Sequence, residues 1–232
     1  MARKYFNWKL AIVLVIGLAI TAATAYGLRQ WRRSSRAENA LVIGNKAYEK
    51  QEWGEAATNL GRYIAVNSND ISALLKYADA QLNIRPVKSG NIQQAIGAYR
   101  NVLRIEKGNL KAAEQLTELY LGMGMPGEAE LIAQRALEVN QDAELRRMLA
   151  LSFAGQRKFD EAVSELKDII KNYPNHVSAY ETLWQLIKQR PDVSSESSDR
   201  WRDMAVENNP SSALAYIIRA NSHLLGRDLV SA

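Results

Sequence analysis

Apolar residues recur along this chain at helical spacing, and short polar turns interrupt them at a nearly fixed interval. Through Ala143, Arg157, Phe159, Ala162, Leu166, Ile169, Ile170 and Pro174, one apolar helix leads into a polar turn, an aromatic, an alanine and a second apolar helix. The same order returns at Trp53, Ala56, Leu60, Tyr63 and Ile64, again at Ile92, Ala95, Tyr99, Val102 and Leu103, and again at Ala129, Ala133, Ala136 and Leu137. From Ala56 to Ala95 is 39 residues, from Ala95 to Ala129 is 34, and from Ala129 to Ala162 is 33. A helix pair of that length cannot bury its apolar face alone, so the pattern predicts hairpins that stack in series. The predicted fold is all-α.

The N-terminus breaks the pattern. Leu10 to Leu28 carries no charge over 19 residues; as a helix it would be about 28 Å long, near the ~30 Å thickness of a bilayer's hydrocarbon core. Tyr5, Phe6 and Trp8 flank it on one side, Tyr26 and Trp31 on the other, as interfacial aromatics do. The expectation is a transmembrane helix over 10–28, between a basic tail (1–9) and a basic juxtamembrane tether (29–36), with the solenoid over 37–232. A cleavable signal ending at Ala23-Thr24-Ala25 is the rival. The apolar run continues past that site and four arginines follow, which favours an uncleaved anchor. Basic residues stand on both sides, so orientation rests on the short tail. Such a tail commonly stays cytoplasmic, which places the repeats of this single-pass cell-membrane protein on the periplasmic side.

The repeating residues resemble the tetratricopeptide repeat (TPR), whose helix A carries a leucine and then a small residue where the two helices cross. Helix B of that repeat opens on an aromatic and an alanine. The resemblance implies a TPR-type right-handed α-solenoid of antiparallel helix pairs, with repeats over 37–70, 71–109, 110–142 and 143–176, a degenerate one over 177–211 and an incomplete one over 212–232. The first has Ile43 and then Gly44 at the crossing, with Ala40 where a bulkier residue is usual. The second has Leu74, Tyr77 and Ala78, and a lengthened turn from Asn83 to Gly90. Leu116, Tyr120 and Gly124 mark the third, and Leu149, Ala150 and Phe153 the fourth. In the fifth, Trp184 occupies the small-residue position, and a serine-rich turn offers Ser198 or Asp199 as an N-cap. The sixth has Tyr216 and Ala220 but stops where helix B would open, leaving Leu214, Ile217, Ile218, Leu224 and Leu225 without a partner helix. That reads as the front portion of a longer protein.

Charge changes the picture in one respect. Of 30 basic residues, seven (Arg3, Lys4, Lys9, Arg29, Arg32, Arg33, Arg36) lie in 1–36; the other 23 face 25 acidic residues, a net −2 for 37–232. A folded part without a basic footprint argues against nucleic acid as a partner. No cysteine is present, so disulfides and thiolate metal sites are excluded.

Candidate chemistry is sparse. Gly122-Met123-Gly124-Met125-Pro126-Gly127 spells a dinucleotide fingerprint, but helical spacing precedes it where a strand is required, so it reads as a hairpin turn. His176 and His223 have no carboxylate or second histidine at ligand spacing. No catalytic, cofactor or metal residue is expected, and the chain is not read as an enzyme. The resemblance implies instead a concave groove lined by the A helices. Its candidate residues are Leu41, Asn45 and Tyr48, then Leu75, Asp79 and Leu82, then Glu114 and Glu118, then Arg147 and Leu151. Their mixed polarity suits an extended peptide or a partner helix. The expected function is a membrane-anchored TPR scaffold of bacterial style for protein–protein interaction or complex assembly. The alternative is an anchor and regulatory repeat region whose C-terminal continuation carries an enzymatic or ligand-binding domain.

Overall fold

Three A helices begin in the same way. Ahead of α3 (Ile71–Asn83), α5 (Leu110–Gly122) and α7 (Ala143–Gly155), an Asx side chain accepts a hydrogen bond from the first turn. Asp70 accepts from the Ala73 N–H at 3.0 Å, Asn109 from Ala112 at 3.1 Å and Asp142 from Leu145 at 2.8 Å. Each such cap is worth about 1 kcal/mol. The B helices α2 (Trp53–Ile64), α6 (Pro126–Leu137) and α8 (Phe159–Asn172) follow turns of one geometry. A single residue adopts the left-handed conformation in each: Gln51 at φ 61°, Gly124 at 69° and Arg157 at 65°. The N–H of the next residue then closes on a carbonyl five residues back, Glu52 on Ala47 at 2.9 Å, Met125 on Tyr120 at 2.8 Å and Lys158 on Phe153 at 2.9 Å. The glycine-rich fingerprint is therefore one of these turns: Gly122 ends α5 and Gly124 supplies the positive φ.

The computed structural model describes residues 8–190, 192 and 197–227, without the side chains of 9–11, 13, 15 and 221–227. Among the described residues there are eleven helices and no strand. The others are α1 (Trp8–Glu49), α4 (Ser89–Ile105), α9 (Val177–Gln189), α10 (Ser198–Asn208) and α11 (Ala213–Arg227). The chain divides into two units, residues 1–98 and 99–232. In the first, α2 packs on both α1 and α3 around Ala47, Ala56, Leu60 and Ala80. In the second, each helix from α5 to α10 packs on its successor, and the A helices also touch in turn, α5 on α7 and α7 on α9. Hairpin thus leans on hairpin within this unit. Leu166, Ile169, Tyr180 and Leu183 are fully buried there, each aliphatic side chain contributing about 1.5–3 kcal/mol.

Two expectations need correction. The stretch expected to span a membrane, 10–28, is the front of α1, a 42-residue helix that continues through 29–36, the expected tether, into the first repeat. Among the described residues no helix is long and apolar enough to cross a membrane, which overturns the single-pass placement and with it the periplasmic side. The apolar positions share one continuous helix with Arg29, Arg32, Arg33 and Arg36, which line a cleft of about 740 Å³ with Arg62 and Val66. Second, α10 is capped by Ser197, whose hydroxyl accepts from the Asp199 N–H at 3.3 Å, rather than by Ser198 or Asp199. The tail 1–7, the serines at 194 and 195, the side chains of His223, Leu224 and Leu225, and residues 228–232 lie outside the described residues.

Candidate partner-binding site

On the A helices of the first unit, the candidate residues are tied to one another. The Tyr48 hydroxyl donates to the Asp79 carboxylate across α1 and α3. Burial first, and then Asp79, push the Tyr48 phenol up to about 12, so it remains a donor at any ordinary pH. Lys76 donates to Asn45 Oδ1 at 2.8 Å and its ammonium lies 5.7 Å from the centre of the Tyr48 ring. Asn83 completes the set with a 3.1 Å bond to Asp79 Oδ1. Leu41 and Tyr48 pack against the α1–α2 core, while Leu75 and Leu82 are half-buried. The structure therefore brings Asn45, Tyr48 and Asp79 into one network, and Lys76 is the member that sequence reasoning missed.

The second unit arranges its face differently. Arg147 makes two bonds to Glu144 one turn earlier, Nε to Oε2 at 2.9 Å and Nη2 to Oε1 at 2.5 Å. Its remaining amine reaches α9, where Nη1 donates to Thr182 Oγ1 at 3.2 Å. Thr182 can accept because its own hydroxyl proton goes to the Ser178 carbonyl at 2.9 Å. Glu144 also lies 3.1 Å from His176 Nε2. Arg147 first, then His176, hold the Glu144 carboxyl down at about 2. Glu114, on α5, is half-buried, and its carboxyl is raised by that burial first and then by the neighbouring Asp142 and Glu144. Glu118 is exposed.

Leu151 borders a small cleft of about 120 Å³ between α7 and α9, together with Ala154, Thr182, Gln185 and Gln189. The face thus presents carboxylates, one fixed guanidinium and a pit with an apolar wall and amide rims. That combination suits an extended chain that inserts one apolar side chain and offers hydrogen bonds and positive charge beside it. Glu144, Thr182 and His176 were not among the candidates. The Glu144–Arg147 spacing of one helical turn was a usable signal; the contact to Thr182, 35 residues away, had none. Among the described residues no group of three histidine, cysteine or acidic side chains offers a metal site.

Tetratricopeptide repeat family profiles match residues 87–152 and 147–176, which shows TPR repeats in that stretch. A crystal structure of a MamA protein superposes with a TM-score of 0.64 at 18% identity, covering 77% of this chain and 94% of that one. MamA from Desulfovibrio magneticus RS-1, residue 41 to its end, gives 0.62 at 16% identity over 77% of this chain and 97% of its own. YrrB, described as a TPR protein with an unusual peptide-binding site, gives 0.58 at 19% identity over 78% and 90%. At such identities the likeness shows the fold alone, that of a TPR-like α-solenoid. Comparison with curated protein sequences gives no match.

Proposed function

We propose that this chain is a protein-interaction scaffold that holds an extended segment of a partner polypeptide across the A helices α5, α7 and α9. The observation that carries the reading is the Leu151 cleft beside the Arg147–Thr182 bridge, because it joins a pit for one side chain to a polar surface of fixed geometry. Glu114 and Glu118 on α5, with Arg147 and Leu151 on α7, supply the flanking contacts, and the carboxylates favour a basic residue in the bound segment. In the first unit Leu41, Asn45, Tyr48, Leu75, Asp79 and Leu82 form a second face of the same kind. A TPR-like fold, and the peptide site named for YrrB, support this reading. It assigns no catalysis.

A photoreactive residue placed at exposed Gln185 tests it against the same residue placed at exposed Ser164 on α8. Partner polypeptides crosslink from position 185, not from 164, and Leu151→Arg abolishes the product. Equal yields from both positions refute the groove.

A further inference from the structure

A second surface lies on the B helices of the 99–232 unit. There, residues of α4 and α6 and of the turns that follow them line a cleft of about 660 Å³, within the ~300–1,000 Å³ range of ligand-binding clefts. Its floor is apolar: Leu131, Ile132 and Val139. Val139 is 60% exposed and Leu131 40%, so the cleft leaves apolar surface open to solvent. Its rim is cationic, with Arg100 and Arg104 from α4, Lys107 from the next turn and Arg135 from α6, against two acids, Glu128 and Glu138.

Backbone geometry fixes the open end of this cleft. A Cβ built on Gly108 would lie 2.6 Å from Val139 Cγ1, so the chain after α4 passes directly beneath the valine. Asn140 locks the contact by donating from Nδ2 to the Gly108 carbonyl at 2.5 Å. Val139 therefore rests on rigid backbone and is held outward by it. At the other side Arg100 lies with its guanidinium carbon 5.6 Å from the centre of the Tyr120 ring, which orders that part of the rim.

We propose that this cleft docks an acidic amphipathic helix of a partner protein. Apolar residues recurring at i, i+3, i+4 and i+7 lie over Leu131, Ile132 and Val139, and flanking Asp or Glu residues face Arg104, Lys107 and Arg135. Two parallel ridges of helix side chains make a natural groove for a third helix. The charge balance of the rim selects acidic flanks. Free phosphate or nucleic acid has no use for the apolar floor, and the near balance of charge over residues 37–232 (23 basic against 25 acidic) gives a long polyanion no basic track beyond this rim. The site is distinct from the A-helix groove and does not rest on it.

Fluorescence anisotropy of the full chain tests the proposal. The probe is a labelled synthetic helix of about 18 residues with leucine at the heptad-like positions and glutamate on the flanks. Its controls are the same composition scrambled to remove the apolar face, and a lysine version. The glutamate helix binds, and the paired change Arg104→Glu and Arg135→Glu weakens it about tenfold or more. Val139→Ser weakens it several-fold, whereas Leu151→Asp on the A-helix face leaves it unchanged. Failure of the glutamate helix to bind, equal binding of the scrambled peptide, or indifference to charge reversal overturns the proposal. So does an equal loss with Leu151→Asp, which places the peptide in the other groove. Sedimentation showing that the cleft variants instead dissolve a dimer of the chain also overturns it.

Discussion

Gly44 in the first hairpin and Trp184 in the degenerate one occupy the same register position, where helix A crosses its partner. The two regions satisfy one packing requirement by opposite means. At Gly44 the neighbour is backbone: an added Cβ would stand 2.9 Å from Leu60 Cγ and 3.0 Å from the Leu60 nitrogen. At Trp184 the site is filled by an indole that is only 6% exposed. Arg202 from α10 lies over its ring at 5.6 Å and Lys188 at 5.2 Å. Arg202 is itself buried and pairs with Asp199, yet among the described residues its Nε and Nη1 find no hydrogen-bond acceptor. Contact with the aromatic face is what compensates this guanidinium in part. A hairpin can therefore keep its place with a large residue at the crossing, provided the following helix brings a group to cover it.

The largest effect should come from removing the indole. Trp184→Ala leaves a cavity and strips Arg202 of its ring, and should cost about 3–5 kcal/mol. Urea unfolding measures it; a loss below about 1 kcal/mol would show that Trp184 is not a core residue. Gly44→Ala should cost less but in the same direction. Alanine gains about 1 kcal/mol of helix propensity over glycine. Forcing a methyl against the Leu60 backbone costs about 1–3 kcal/mol, so the clash wins. Gly97 in α4 is the matched control, because among the described residues nothing beyond its own helix backbone lies within 4 Å of its virtual Cβ. Gly97→Ala should stabilise by about 0.5–1 kcal/mol. If both alanines stabilise, the close crossing at Gly44 is refuted, and with it half of the contrast.

The register of these hairpins was legible because it is written in small buried residues. Ala56, Ala95, Ala129 and Ala162, which mark the period, are all 0% exposed. What sequence could not show falls into two kinds. Contacts across repeats, such as Lys76 to Asn45 or Arg147 to Thr182, join residues 31 and 35 positions apart, and no local pattern announces them. Conformations that run against residue type are the other kind. Gln51 and Arg157 take the left-handed turn that glycine takes at Gly124, and the arginine-rich stretch 29–36 is helix where its polarity reads as a tether. Arginine is a good helix former, so charge density there marks a solvated face and no break. The groove candidates lie on α1, α3, α5 and α7, but which of them pair with each other depended on neighbours the pattern does not specify.

The smallest effect tests how the helix that bears Trp184 is held at its start. His176 stands at the N-cap of α9, and Glu144 reaches it from α7 at 3.1 Å. Unfolded, the Glu144 carboxyl titrates near 4.5; folded, it sits at about 2, held there by Arg147 and then His176. A carboxyl depressed in the folded state stabilises above its unfolded value, and the benefit is lost as pH falls through the folded one. The side chain keeps 32% of its exposure, so solvent screening limits the contribution to about 1 kcal/mol or less. The difference in unfolding free energy between the wild type and Glu144→Gln should thus be present at about pH 4.5 and shrink toward zero near about 2. Gly44→Ala, which touches no part of this pairing, should lower both curves equally and leave their difference unchanged. A difference that widens as the solution is acidified from about 4.5 toward 2 would mean that the Glu144 carboxylate does not stabilise the start of α9.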